Sequence, residues 1–202
     1  LSLTVLVVGI VLRFLFLDAD PDYYEWIGYI TDEGRWIQHA RSLALYGTLI
    51  DFHLLQMHLY LAPLFQFSNY LVFEVFGVSL LTSRIFTAFC GSAALVLFWV
   101  CLRDIVSDQA LLAGTTLMAF QPDLLVLSRV AVPEMGVIFL QFLTYWLIVS
   151  NRGSSWRMVL AGLSFLAGCA IKATMGLLLP VFSAIIFFMP RQPGDSKKGH
   201  DL

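Results

Sequence analysis

The chain has 202 residues, of which 59% are hydrophobic and only 13% charged, and its mean hydropathy is +0.81. A soluble domain carries about a quarter charged residues, so recurrent apolar runs of bilayer length argue against a soluble globule and for a polytopic membrane protein. The net charge of −2 includes no basic cluster of the kind that nucleic-acid binders show, and Cys90, Cys101 and Cys169 fall in or beside apolar runs without metal-ligand spacing.

In chain order, the first apolar run covers roughly residues 1–17. Arg13 interrupts its far end and no small-residue cleavage site follows, so it reads as a signal-anchor-like span rather than a removable leader. Further spans are expected at roughly 79–102, 110–128, 133–150, 157–172 and 174–189. Backbone groups in lipid must be satisfied within their own segment, so each should be a helix. The stretch 54–76 is apolar but interrupted by Pro63, Gln66, Asn69 and Glu74. If it does not cross, and the N-terminus is cytoplasmic, Arg103, Arg152, Arg157, Arg191, Lys197 and Lys198 all lie inside, as the positive-inside rule prefers. The segment is therefore expected to lie at the outer face or dip into it. The absence of an initiator Met and the polar ending "RQPGDSKKGHDL" point to a piece of a longer protein.

The expected architecture is all-α: a polytopic transmembrane helix bundle of about six spans over 1–189, an external loop at 18–78, and a polar cytoplasmic tail at 190–202. The first external loop holds Asp18, Asp20, Asp22, Glu25, Asp32, Glu33 and Asp51, half of the fourteen acids in the chain. Within it, Trp36, Ile37, Ala40, Leu43 and Ala44 recur at helical spacing with Gln38, His39 and Arg41 opposite. That pattern predicts an interfacial amphipathic helix from Thr31 to Tyr46, stopped by Gly47. In the span near 157–172, Ser164 and Gly168 stand four apart and allow close helix approach.

This topology brings Asp32, Glu33, Arg129, Glu134 and Lys172 to one face. Charged groups at a membrane boundary are costly unless paired, hydrated or used. Carboxylates there can take a proton from an incoming hydroxyl, and cations can hold a departing phosphate. Each residue also has a plainer reading. Asp32 and Glu33 fit the first turn of a helix by its dipole alone, with Thr31 as N-cap. Arg129 and Glu134 fit a structural ion pair across a tight turn, and Lys172 fits a snorkelling lysine. His39, His53 and His58 read as surface histidines. The aromatics Tyr23, Tyr24, Trp26, Tyr29 and Trp36 fit an interfacial belt as well as a sugar-stacking platform.

Four elements in order resemble the N-terminal part of the GT-C glycosyltransferases that use polyprenyl-phosphate sugars, such as the protein O-mannosyltransferases and the aminoarabinose transferases. They are "TDEGRWIQHARSLALYG", "LAPLFQFSNYLVFEVFGVSLLTSRIFTAF", "LSRVAVPEMGVIFLQFLTYWL" and "GLSFLAGCAIK". The resemblance implies a polyprenyl-phosphate sugar donor, a lipid, glycan or protein acceptor, transfer with inversion and an outward-facing cavity. It implies Asp32, as general base or acceptor-orienting carboxylate, and Glu33 beside it as the catalytic carboxylates, Arg35, Arg129 and Lys172 as donor-phosphate contacts, and Glu134 and Arg84 as supporting residues. His58 is counted with the supporting residues by its nearness in sequence, not by alignment. Where many relatives have a basic residue before Pro-Pro, this chain reads Leu61, Ala62, Pro63. No cofactor is required by the sequence, although two neighbouring carboxylates can take a divalent cation. The expected setting is the plasma (inner) membrane, with no nucleic-acid partner. Two other classes share these features: a lipid or small-solute transporter, and a non-catalytic membrane assembly subunit.

Overall fold

A computed structural model describes residues 1–19, 32–49, 57–150 and 155–188, with Asp32 and Met57 described by their backbone alone. The described residues are all helical: α1 (Ser2–Phe14), α2 (Asp32–Tyr46), α3 (Met57–Leu61), α4 (Pro63–Phe76), α5 (Leu80–Leu102), α6 (Asp108–Phe120), α7 (Pro122–Leu127), α8 (Glu134–Ser150), α9 (Ser155–Ile171), a 3-10 helix (Ala173–Leu178) and α10 (Leu179–Phe188). Among them, α5 alone is long and apolar enough to cross a membrane. At 1.5 Å per residue it reaches about 35 Å, against about 30 Å of hydrocarbon. Ser2–Phe14, Glu134–Ser150, Ser155–Ile171 and Ala173–Phe188 are shorter apolar helices.

Prolines account for most departures from the expected continuous spans. The 110–128 span is broken at Gln121, which ends α6 and, through its side chain, accepts from the Leu124 N–H at the start of α7. Pro122 has no N–H for the ladder and takes the first position of the new helix. The same chemistry divides 54–76: Ala62, before Pro63, leaves the helical region (φ −144°, ψ 52°) and separates α3 from α4. The last expected span begins as a 3-10 helix and becomes regular at Leu179, with Pro180 in its first turn.

The amphipathic helix of the first loop forms at Asp32–Tyr46 and ends at Gly47, whose φ of +69° suits a residue without a Cβ. Trp36 and Ala40 are buried as expected, but His39 is not on the outer face: it is 2% exposed, and its Nδ1 donates to the Leu49 carbonyl at 2.8 Å. The polar residue is drawn inward because the chain folds back at Gly47 and presents a carbonyl to it. Thr31, the expected cap, lies outside the described residues.

Helix α5 is the hub. One apolar cluster joins Leu6 of α1, Cys90, Ala94 and Leu95 of α5, Met118 and Ala119 of α6, and Met135 of α8. A second joins Trp36 of α2 to Ala62, Phe65, Val130, Val132 and Ile171. A Cβ on Gly91 would sit 2.7 Å from the Ser128 Cβ and 3.4 Å from Arg13 Nε, so only glycine allows α5 to meet the 128–133 turn and α1 this closely. Both small residues foreseen in α9 make close contacts: Ser164 Oγ lies 3.1 Å from Thr144 Oγ1 of α8, and a Cβ on Gly168 would reach within 2.8 Å of Met175 Cγ in the 3-10 helix.

The two ends of the bundle differ in chemistry. At one, Trp99 Nε1 donates to Ser2 Oγ, Arg103 lies over the Trp99 ring, and Arg157 lies over Trp146 and donates to Ser150. At the other, α2, the exit of α1, the start of α5, the 128–133 turn, the start of α8 and the end of α9 converge.

Candidate active site

The convergence is built from two ion pairs. The first begins with the cap of α5. Ser79 Oγ accepts from the Thr82 N–H at 3.2 Å while Thr82 Oγ1 accepts from the Ser79 N–H at 2.9 Å, a reciprocal box that fixes the first turn. One turn further on, Arg84 is completely buried. Its Nε donates to Glu33 Oε1 at 2.7 Å, its Nη2 to Glu33 Oε2 at 2.8 Å, and its Nη1 to the Leu17 carbonyl at 2.6 Å. Glu33 is 8% exposed, and its Oε1 also accepts from the Ala131 N–H at 2.9 Å. One bidentate pair thus ties α1, α2, α5 and the 128–133 turn together. A buried guanidinium–carboxylate fork with its remaining groups satisfied is the geometry in which such a pair persists.

Arg129, expected beside Glu134, faces α1 instead: Nη1 donates to the Leu12 carbonyl and Nη2 to the Phe16 carbonyl at 3.1 Å. Those carbonyls belong to the last turn of α1 and its exit, where cations are favoured by the helix dipole. Phe16 itself has φ 52°, a left-handed conformation costing on the order of 1–3 kcal/mol. It persists because Arg129 holds its carbonyl and Arg84 holds the next one.

The second pair joins Glu134, the first residue of α8, to Lys172, which directly follows α9. Lys172 Nζ donates to Glu134 Oε1, and the two side chains are 25% and 34% exposed. An acid at one helix N-terminus and a base at the adjacent C-terminus each complement their own dipole. Lys172 Nζ also lies 5.1 Å from the centroid of the Trp36 ring, and the His58 ring meets Trp36 edge-on with centroids 4.6 Å apart. Glu134 Oε2 is buried and has no hydrogen-bond partner among the described residues.

Of the residues singled out in the sequence, Glu33 and Arg84 therefore meet in one pair, and Lys172, Glu134 and His58 gather around Trp36. Arg35 is exposed on α2, and the Asp32 side chain lies outside the described residues. In sequence, Trp36 fits an interfacial belt and a stacking platform equally. Its placement three residues after Glu33, on the face that Glu33 anchors, was the available signal. Buried Gln66, whose Oε1 accepts from the Ala40 N–H at 3.0 Å, was treated as an interruption, although a polar residue facing a helix backbone braces it. Among the described residues no three His, Cys, Asp or Glu side chains gather as a metal site.

No curated protein and no solved structure matches the chain. The family profile described as dolichyl-phosphate-mannose-protein mannosyltransferase matches residues 3–197. Proteins of this kind are integral to the membrane, and with nearly its whole length matched the chain belongs to that GT-C family of membrane glycosyltransferases.

Proposed function

We propose that the chain transfers a hexose, mannose in the first instance, from a dolichyl- or polyprenyl-phosphate donor to an acceptor hydroxyl, with inversion, at the outer or luminal face of the membrane. The observation that carries this reading is the Glu33–Arg84 fork. It fixes the first turn of α2 against the exit of α1, α5 and the 128–133 turn, and so sets the backbone from which Asp32 projects. In this reading Glu33 is a positioning residue, because both its oxygens already accept hydrogen bonds. Asp32 is the base.

The acceptor oxygen attacks the anomeric carbon, the bond from that carbon to the phosphate oxygen breaks, and the acceptor proton passes to Asp32. Dolichyl phosphate leaves with the electron pair. Lys172 and the exposed Arg35 offset the charge that develops on it. Arg129, engaged with the α1 carbonyls, is given the role of holding the α1 exit rather than the phosphate.

The proposed setting is a multi-pass membrane domain over 1–189, with the N-terminus and the segment 190–202 cytoplasmic and the loop 18–78 outside. The basic, Trp-flanked end with Arg103 and Arg157 supports the cytoplasmic assignment of that end. The test is chemical: delete the gene in its host and quantify the sugar-charged polyprenyl phosphates by mass spectrometry. Accumulation of the mannose-charged lipid, reversed by restoring the gene, is expected; an unchanged lipid pool contradicts the reading.

A further inference from the structure

Lys172 is held by two partners of different kinds. The Trp36 ring is 7% exposed, packed among Ala62, Phe65, Val130, Val132 and Ile171, and braced by the edge of His58. It is a fixed surface. Glu134, about a third exposed, meets the ammonium through one oxygen, while its other oxygen is buried without a partner among the described residues. A carboxylate half engaged and half desolvated is a poor permanent ligand. A phosphate monoester brings more acceptor oxygens and a charge of about −1.5 to −2 near neutral pH, so it outcompetes that carboxylate for the same ammonium. The aromatic face, which attracts a cation without occupying its donors, has no reason to let go.

We infer that Trp36 is the positioning residue for Lys172 and that Glu134 is its exchangeable counter-ion: polyprenyl phosphate takes the place of Glu134 on an ammonium that stays seated on the ring. This rests on the donor assignment above and adds how the cation is kept in register while its anion changes. The exchange also orders the cycle. The leaving lipid monophosphate is more highly charged than the phosphodiester donor, so Lys172 passes from Glu134 to phosphate most completely as transfer proceeds, and returns to Glu134 when the product departs.

The test measures binding of a short-chain polyprenyl monophosphate to the purified protein, with inorganic phosphate as a second probe to separate recognition of the lipid from recognition of the anion. Transfer of label from dolichyl-phosphate mannose is measured on the same preparations. Lys172→Met is expected to weaken lipid-phosphate binding roughly ten- to a hundredfold, the loss of a charge-assisted hydrogen bond. Trp36→Leu should weaken it roughly three- to tenfold, with Trp36→Phe close to the unaltered protein, binding being read well below the melting temperature of each variant because truncating a core ring also lowers stability. Glu134→Gln should tighten binding by up to roughly fivefold, the size of a partly exposed competing ion pair. In the Lys172→Met background, Trp36→Leu should change nothing further.

Weaker binding in Glu134→Gln, or an undiminished Trp36→Leu effect without the lysine, overturns the inference. A protein that shows the predicted binding pattern but transfers no mannose sinks the donor assignment and leaves the exchange standing. One that transfers mannose without the pattern does the reverse.

Discussion

At the residue scale, the Glu33–Arg84 fork is the most consequential contact, because it is buried and because four segments depend on it. Removing one partner leaves the other charged and unpaired in a dry site. Arg84→Met is therefore expected to destabilise the protein by about 3–5 kcal/mol, and Arg84→Lys to recover only part of that, since an ammonium cannot reproduce the fork. Thermal unfolding of the detergent-solubilised variants checks this; equal stability of Arg84→Met and the unaltered protein would place the anchor elsewhere. The charge types at this end were legible in the sequence, but their pairing was not. Arg84 lies 51 positions from Glu33 and Lys172 lies 38 from Glu134, and no local period connects residues that far apart. The turn drew attention to Arg129 and Glu134 as partners, yet the carbonyls at the end of α1 offered Arg129 a nearer set of acceptors than sequence spacing could reveal.

At the element scale, α2 was the most legible piece. Its apolar recurrence through Trp36 and Ala40 and its stop at Gly47 follow from helical period and glycine conformation, and both are found in the fold. Pro63 already marks 54–76 as interrupted, and the chain divides there; Pro122 carries the same break signal inside the run 110–128, whose hydropathy alone predicts one continuous span. Close packing gives a paired prediction. Gly91→Ala puts a methyl against the Ser128 Cβ and should destabilise by about 1–3 kcal/mol. Gly162→Ala, where nothing but the helix's own neighbouring backbone lies within 4 Å of the added carbon, should instead stabilise α9 by up to about 1 kcal/mol through helix propensity. Parallel melting curves decide it, and a neutral Gly91→Ala would mean that α5 and the 128–133 turn do not approach as closely as described.

At the scale of the whole molecule, composition and hydropathy make an all-helical fold legible, and every regular element among the described residues is a helix. The grouping of the acidic loop, the 128–133 turn and Lys172 was expected from counting spans, and contacts join these segments at one end of the bundle. The proposed sidedness makes a direct prediction. In a variant lacking Cys90, Cys101 and Cys169, a single cysteine at Arg41 should react with an impermeant thiol reagent from outside intact cells. One at Asp104, which is exposed at the opposite end, should react only after permeabilisation. Labelling of both from the same side would invert or abolish the proposed topology.

The central claim is that Asp32, carried on an anchored α2, accepts the acceptor proton during transfer from the lipid phosphate. The most direct measurement compares label transfer from dolichyl-phosphate mannose in native membranes containing the unaltered protein or Asp32→Asn, at matched abundance and matched melting temperature. A general base contributes about 10²–10⁴-fold. A fall in kcat of that size, with donor binding retained, is the predicted result. Undiminished transfer by Asp32→Asn would make Asp32 a residue of the helix start alone and contradict the claim.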